Sequence, residues 1–230
     1  AAELNARLTS ALRVLEFEQK LQDKEREVRL NCYKTLTQLA ETRDHESEGH
    51  MNRVGEFCAM IARQFGCDEA FCESLRIFAP MHDIGKVGIP DGILHVPREL
   101  CREEFQVIKM HTQIGWQILK DKEVFELAAE IAYTHHEHWD GNGYPRHLKG
   151  IAIPLAGRIC AVADCYDSLR SVRSYRSRVS HSQVMNWIQL SSGTLFDPQI
   201  VEAAVEVQDK LKELFDSTYT IDVEATPVRE

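Results

Sequence analysis

Apolar residues along this chain recur at helical spacing, and nowhere do they alternate with polar ones for long enough to build a half-buried strand. That property restricts the chain to an all-α architecture. Residues 1 to about 40 are the extreme case: rich in Leu, Glu, Lys, Arg and Gln, with no glycine or proline, they favour one long helix. Val14, Leu21 and Val28 fall seven apart with Phe17 between them, a partial heptad that Lys24 and Asn31 interrupt. Two readings of it stand: a solvated helix packed on the domain, and a parallel coiled coil that would make a homodimer and carry a signal from an upstream sensory or receiver domain.

The helical pattern continues from Glu41 through Arg63, ends near Gly66, and restarts over Glu69 to Met81 with Asp68 as cap. Gly85, Gly88, Pro90, Asp91, Gly92 and Pro97 make a loop. Helices follow over Arg102 to Lys120, Glu123 to Thr134, Leu155 to Leu169 and His181 to Leu190, with turn-rich Asn142 to Pro154 between the second and third. Asp197-Pro198 supplies cap and first-turn proline for a last helix from Gln199 to Phe215. The expected organisation is a linker helix over 1–40, one catalytic domain over 41–218 and a disordered tail over 219–230.

A length of 230 residues accommodates one domain with a full core and an appended segment. The formal charge of −9 disfavours binding to a nucleic-acid polymer, where phosphate neutralisation supplies most of the affinity. No run of 18 apolar residues spans a membrane and no signal peptide opens the sequence, so a cytoplasmic location is expected. Seven cysteines without a CxxC pair read as reduced thiols, mostly buried, rather than a disulfide framework or a zinc ribbon.

Against this background the middle of the chain is unusually rich in metal-ligand residue types. His135 and His136 are adjacent and run into Gly141-Asn142-Gly143-Tyr144-Pro145; His82-Asp83 lies upstream and Asp164 downstream. Glu46 and His50 are four apart and so leave one helix face a turn apart, while Asp83 beside His82 places a carboxylate that can bridge two ions next to an imidazole. With His111 these make five histidines and three carboxylates over five helical segments. Eight N/O donors exceed what one ion takes, so two or three are implied, and the lack of thiolate spacing favours iron or manganese over structural zinc. Two close ions would activate a bridging hydroxide for hydrolysis. His45, His95, His138, His147 and His181 read as structural or surface histidines.

His82-Asp83 with Gly85-Lys86, the His135-His136 pair, Gly143-Tyr144-Pro145 and Asp164 together resemble the HD-GYP subgroup of the HD-domain phosphohydrolases. The similarity covers roughly Glu41 to Phe215 and takes in Arg43-Asp44, Ile153-Pro154-Leu155 and Phe196-Asp197-Pro198. It implies a helical bundle that hydrolyses cyclic di-GMP to pGpG, and in some members onward to GMP. The family's metal ligands carry onto His50, His82, Asp83, His111, His135, His136 and Asp164. Glu46 matches the members that hold three metals, which makes a trinuclear iron site the expectation.

For the chemistry, Asp83 and Lys86 are the catalytic candidates, with Lys86 as general acid and Asp44 and Asp167 as alternatives. Arg170, Arg173, Arg176 and Arg178 occur within nine residues that contain no acid. The resemblance implies that Arg173 and Arg176 hold substrate phosphate together with Lys86, and that Tyr144 faces the ligand; Arg170 and Arg178 read as solvated. His147 stands where the family often has glycine, which puts the shape of the substrate loop in question. Two competitors remain: an HD hydrolase of another nucleotide, and a sensor or adaptor that binds a cyclic dinucleotide or a protein without turnover.

Overall fold

The computed structural model describes residues 2–41, 48–96, 98–171 and 178–225, and among them no β-strand forms. The chain divides into two compact units, Ala1–Leu36 and Thr37–Glu230. The first is the bulk of α1 (Ala2–Glu41), an unbroken helix on which Val14, Phe17, Leu21 and Val28 are each more than half exposed. No helix among the described residues is long and apolar enough to cross a membrane.

In the second unit α2 (Glu48–Phe65) is the central element, packed against α3 (Glu69–Phe78) and against helices from the end of the chain. Gly66 ends α2 in the left-handed conformation at φ +98°, and two reverse hydrogen bonds, Cys67 N to Ala62 O and Gly66 N to Arg63 O, close the terminus. Asp68 then caps α3 by accepting from the Phe71 amide at 2.8 Å. Pro80 lacks the amide that would continue α3, and the chain tightens into 3₁₀ turns over Ala79–Met81 and Ile84–Gly88. A short α4 (Asp91–Leu94) leads to α5 (Arg102–Leu119), α6 (Glu126–Thr134), α7 (Leu155–Arg170) and α8 (His181–Leu190).

The final helix expected from Gln199 to Phe215 is two helices, α9 (Pro198–Glu206) and α10 (Gln208–Ala225), with the break at buried Val207. Asp197 caps α9 and Pro198 occupies its first turn, as expected. Both α9 and α10 pack on α2, and the core of the unit includes Phe57, Ile61, Leu75, Ile131, Ile159, Tyr166, Ile200 and Phe215. Arg170 is not solvated: it is 3% exposed and its guanidinium pairs with Asp216 of α10, as does that of Arg178. The seven cysteines form no disulfide; Cys58, Cys72 and Cys160 are buried, but Cys32 and Cys101 are exposed, so the thiols are less buried than expected.

Two glycines decide how the site assembles. A Cβ on Gly85 would lie 1.9 Å from the His111 carbonyl oxygen and 2.4 Å from the Gly115 amide nitrogen, so only glycine lets the 3₁₀ turn after His82-Asp83 lie against the α5 backbone. Likewise a Cβ on Gly143 would lie 2.1 Å from the His138 amide nitrogen. That contact folds the loop after α6 back onto its own start.

Candidate metal centre

Five imidazoles and two carboxylates meet where α2, the first 3₁₀ turn, α5, α6 and α7 converge. Asp83, His111, His135 and His136 form one group and His50, His82 and Asp164 another; within each group one potential ligand atom per residue lies within 4.8 Å of all the others. The groups adjoin at consecutive residues, with His82 Nε2 3.3 Å from Asp83 Oδ2.

The surrounding backbone determines which nitrogen of each ring faces the cluster. His82 Nδ1 lies 2.9 Å from Ala79 O, His111 Nδ1 2.7 Å from Ile108 O, and His135 Nδ1 3.0 Å from Ile131 O. A carbonyl only accepts, so Nδ1 carries a hydrogen in all three and Nε2 points inward, where it presents a lone pair whenever the ring is neutral. His111 Nε2 and His135 Nε2 are 3.4 Å apart, and they stand 3.1 and 3.5 Å from Asp83 Oδ1. Two lone pairs facing a carboxylate oxygen repel unless a cation sits among them. His82 Nε2 and Asp83 Oδ1 are, in addition, buried without a hydrogen-bond partner. Imidazole nitrogen with carboxylate oxygen is the donor set of a transition-metal ion, so these residues fit the expected group.

Electrostatics divide the histidines. Burial alone would lower the His82 pKa, but the neighbouring Asp83 carboxylate outweighs it and holds His82 well above the ordinary 6.5. Burial opposes ionisation of Asp83 as well, yet Lys86, 2.7 Å away, and His82 keep it well below the usual carboxylate range. Burial pushes His135 down, and burial with the neighbouring His135 and His111 rings pushes His136 down further. These two therefore stay neutral at pH 7, the form that binds metal.

Helix α7 supplies two carboxylates three residues apart that flank His50. Asp164 Oδ1 is 3.7 Å from His50 Nε2 and equally far from His82 Nε2, while Asp167 Oδ2 is 2.6 Å from His50 Nδ1. Arg53, one turn along α2 from His50, donates Nε to Asp167 Oδ1 at 2.5 Å and rests its guanidinium over the Phe215 ring at 5.0 Å. Although burial would raise the pKa of Asp167, His50 and Arg53 hold it below its ordinary value. Asp167 is thus an ionised anchor for His50.

The loop that follows α6 brings Tyr144 to the cluster. Its ring stacks on His136 with centroids 4.8 Å apart, and its amide donates to His136 O at 3.0 Å. Glu137, 2% exposed, accepts from the amides of Arg146 at 2.7 Å and Leu148 at 2.9 Å, on either side of His147. His147 itself has φ +56°, the left-handed conformation glycine would take, so the loop keeps its turn despite the substitution. His181 is structural, its Nδ1 2.8 Å from Tyr166 Oη.

The geometry thus brings together His50, His82, Asp83, His111, His135, His136 and Asp164, with Lys86 and Tyr144 beside them. Glu46, Asp44, Arg173 and Arg176 lie outside the described residues. Sequence reasoning missed Arg53 and Glu137. The only trace of Arg53 is its three-residue spacing from His50, and that of Glu137 is its place beside the histidine pair.

A family model described as HD domain matches residues 34–200. A cyclic di-GMP phosphodiesterase of Thermotoga maritima is 43% identical over 182 residues, which cover 78% of this chain and 50% of that protein. A 3'3'-cGAMP-specific phosphodiesterase 2 of Vibrio cholerae is 38% identical over 177 residues, covering 76% and 34%. The chain therefore spans about half, or less, of the length of these relatives. Among solved structures, a cyclic GMP-AMP-specific phosphodiesterase of V. cholerae aligns with a TM-score of 0.58 at 20% identity, over 82% of this chain and 52% of that one, a likeness in fold.

Proposed function

The chain belongs to the HD domain family, and from that premise we propose that it is a metal-dependent cyclic di-GMP phosphodiesterase of the HD-GYP type. The observation that carries the reading is the junction of the two ligand groups at His82-Asp83, with inward-facing imidazole nitrogens on both sides. The cyclic di-GMP phosphodiesterases that the chain resembles support the choice of substrate.

In this reading His50, His82 and Asp164 would hold one ion, and Asp83, His111, His135 and His136 would hold a second. Bound ions supply Lewis acidity toward the phosphoryl oxygens and lower the pKa of a water to a useful range. The protein's own groups do the rest. Lys86, kept beside Asp83, places positive charge at the reacting phosphate and is the proton donor for the leaving oxygen. Tyr144 covers His136 and closes one side of the substrate cleft. Arg173 and Arg176 complete phosphate binding, Glu46 recruits a third ion, and iron is the preferred metal, with manganese as its substitute. The product is pGpG, and assay of GMP shows whether cleavage goes further.

The exposed Val14, Phe17, Leu21 and Val28 support pairing of α1 with a second copy, which would relay a signal from an upstream domain to a cytoplasmic enzyme. Anaerobic assay of metal-loaded protein against cyclic di-GMP and 3'3'-cGAMP, with metal quantification, tests the proposal. Turnover of cyclic di-GMP that disappears with the metal is expected. Preference for 3'3'-cGAMP would reassign the substrate, and binding without turnover would make the protein a sensor.

A further inference from the structure

We propose that Phe105 and Lys109 of α5 form a second substrate subsite, taking the phosphodiester and purine of a cyclic dinucleotide that are not being cleaved. The inference rests on the hydrolase reading above. Phe105 and Lys109 are one helical turn apart and share a face of α5. Lys109 Nζ stands 4.9 Å from the centroids of both the Phe105 and the Tyr144 rings, and those rings meet edge to face at 6.4 Å. Since Tyr144 in turn stacks on His136, a row of rings leads from the metal ligands outward to α5.

Arg98, Arg53, Lys86 and Arg158 are each paired with a carboxylate, whereas Lys109 has none among the described residues and is half-buried against two aromatic faces. In a protein of formal charge −9, an uncommitted cation beside the centre favours an anionic ligand. Phe105 is 43% exposed and offers a face on which a base can stack. A cyclic dinucleotide carries two phosphodiesters and two bases. Only one phosphodiester can occupy the centre at His82-Asp83, so the other needs a counter-charge and its base a platform within reach of Tyr144. Lys109 and Phe105 provide both.

The test compares Lys109→Met and Phe105→Ala with the unsubstituted protein, all metal-loaded, on cyclic di-GMP and on bis(p-nitrophenyl) phosphate, which has one phosphodiester and no purine. Each variant is expected to raise KM for cyclic di-GMP about tenfold, in line with the effect of one lost base stack or phosphate contact, with kcat nearly unchanged. Metal content and turnover of the small diester should stay constant, and Lys109→Arg should restore KM. Unchanged KM in both variants overturns the subsite. Equal losses on both substrates also overturn it, because they would show a disturbance passed through Tyr144 to the centre. If the unsubstituted protein cleaves the small diester but neither binds nor cleaves cyclic di-GMP, the substrate assignment fails and the subsite with it.

Discussion

His147 holds a left-handed backbone conformation that costs an L-residue on the order of 1–2 kcal/mol, while Glu137 fixes the amides on both sides of it. His147→Gly should therefore stabilise the protein by about 0.5–1 kcal/mol, less than the full relief because glycine gains entropy in the unfolded chain. A rise in melting temperature of about 1–4 °C would be the readout, and a fall would contradict the strain argument. Glu137→Ala should do the opposite. Two amides lose their acceptor, at a cost of about 2 kcal/mol, and the loop carrying Tyr144 loosens. Metal content is expected to stay constant while KM for cyclic di-GMP rises, because the carboxylate positions the loop and touches no ligand atom; loss of metal would refute that role. At His82 and Asp83 the expectation is harsher. Replacing both with alanine should abolish metal content and turnover while leaving the helical circular-dichroism signal in place, and residual turnover would sink the assignment.

Between elements, the Ile84–Gly88 turn lies directly against the α5 backbone at Gly85. Gly85→Ala would drive a methyl group into the His111 carbonyl, so the turn and α5 must part, at a cost of about 3 kcal/mol and with loss of metal from both ligand groups. Retained metal content with an unchanged melting temperature would show that the contact is slack. Much of this architecture is legible in the sequence because its signals are local. Gly66, Asp68, Asp197 and Pro198 mark helix ends by their own conformational limits, and His181–Leu190 is helical over the expected residues. The break at Val207 is not legible: no glycine or proline announces it, and the buried valine is turned by packing of α9 and α10 on α2. The ligand residues are legible for a similar reason, since few side chains bind transition metals and these recur at telling separations. Arg53, Asp167, Glu137 and Lys109 belong to residue types found all over a surface. Only burial and long-range contact give them meaning, and Arg170 was misread on the same ground.

For the molecule as a whole, the histidines make metal-free stability depend on pH in two directions. His135, His136, His138 and His181 have lowered values, so the unfolded chain binds their protons first and stability falls as pH drops below about 6.5. His82 has a raised value; its contribution is complete below 6.5 and is lost as pH climbs through its folded pKa. The metal-free protein should therefore be most stable near pH 6.5, losing stability below it through the lowered histidines and above it, until the folded pKa of His82 is passed, through His82. Metal-loaded protein should lack the alkaline decline, since His82 then carries no proton at Nε2, and thermal unfolding from pH 5 to 9 with and without chelator checks both limbs. A decline at alkaline pH in both forms would count against His82 as its source. The main-chain acceptors that aim His82, His111 and His135 belong to the helices and turns themselves, so the ring orientations are in place as soon as the chain has folded. On the metal-dependent reading proposed above, metal-free protein would already hold the shape of its site and would gain activity on taking up ions without refolding.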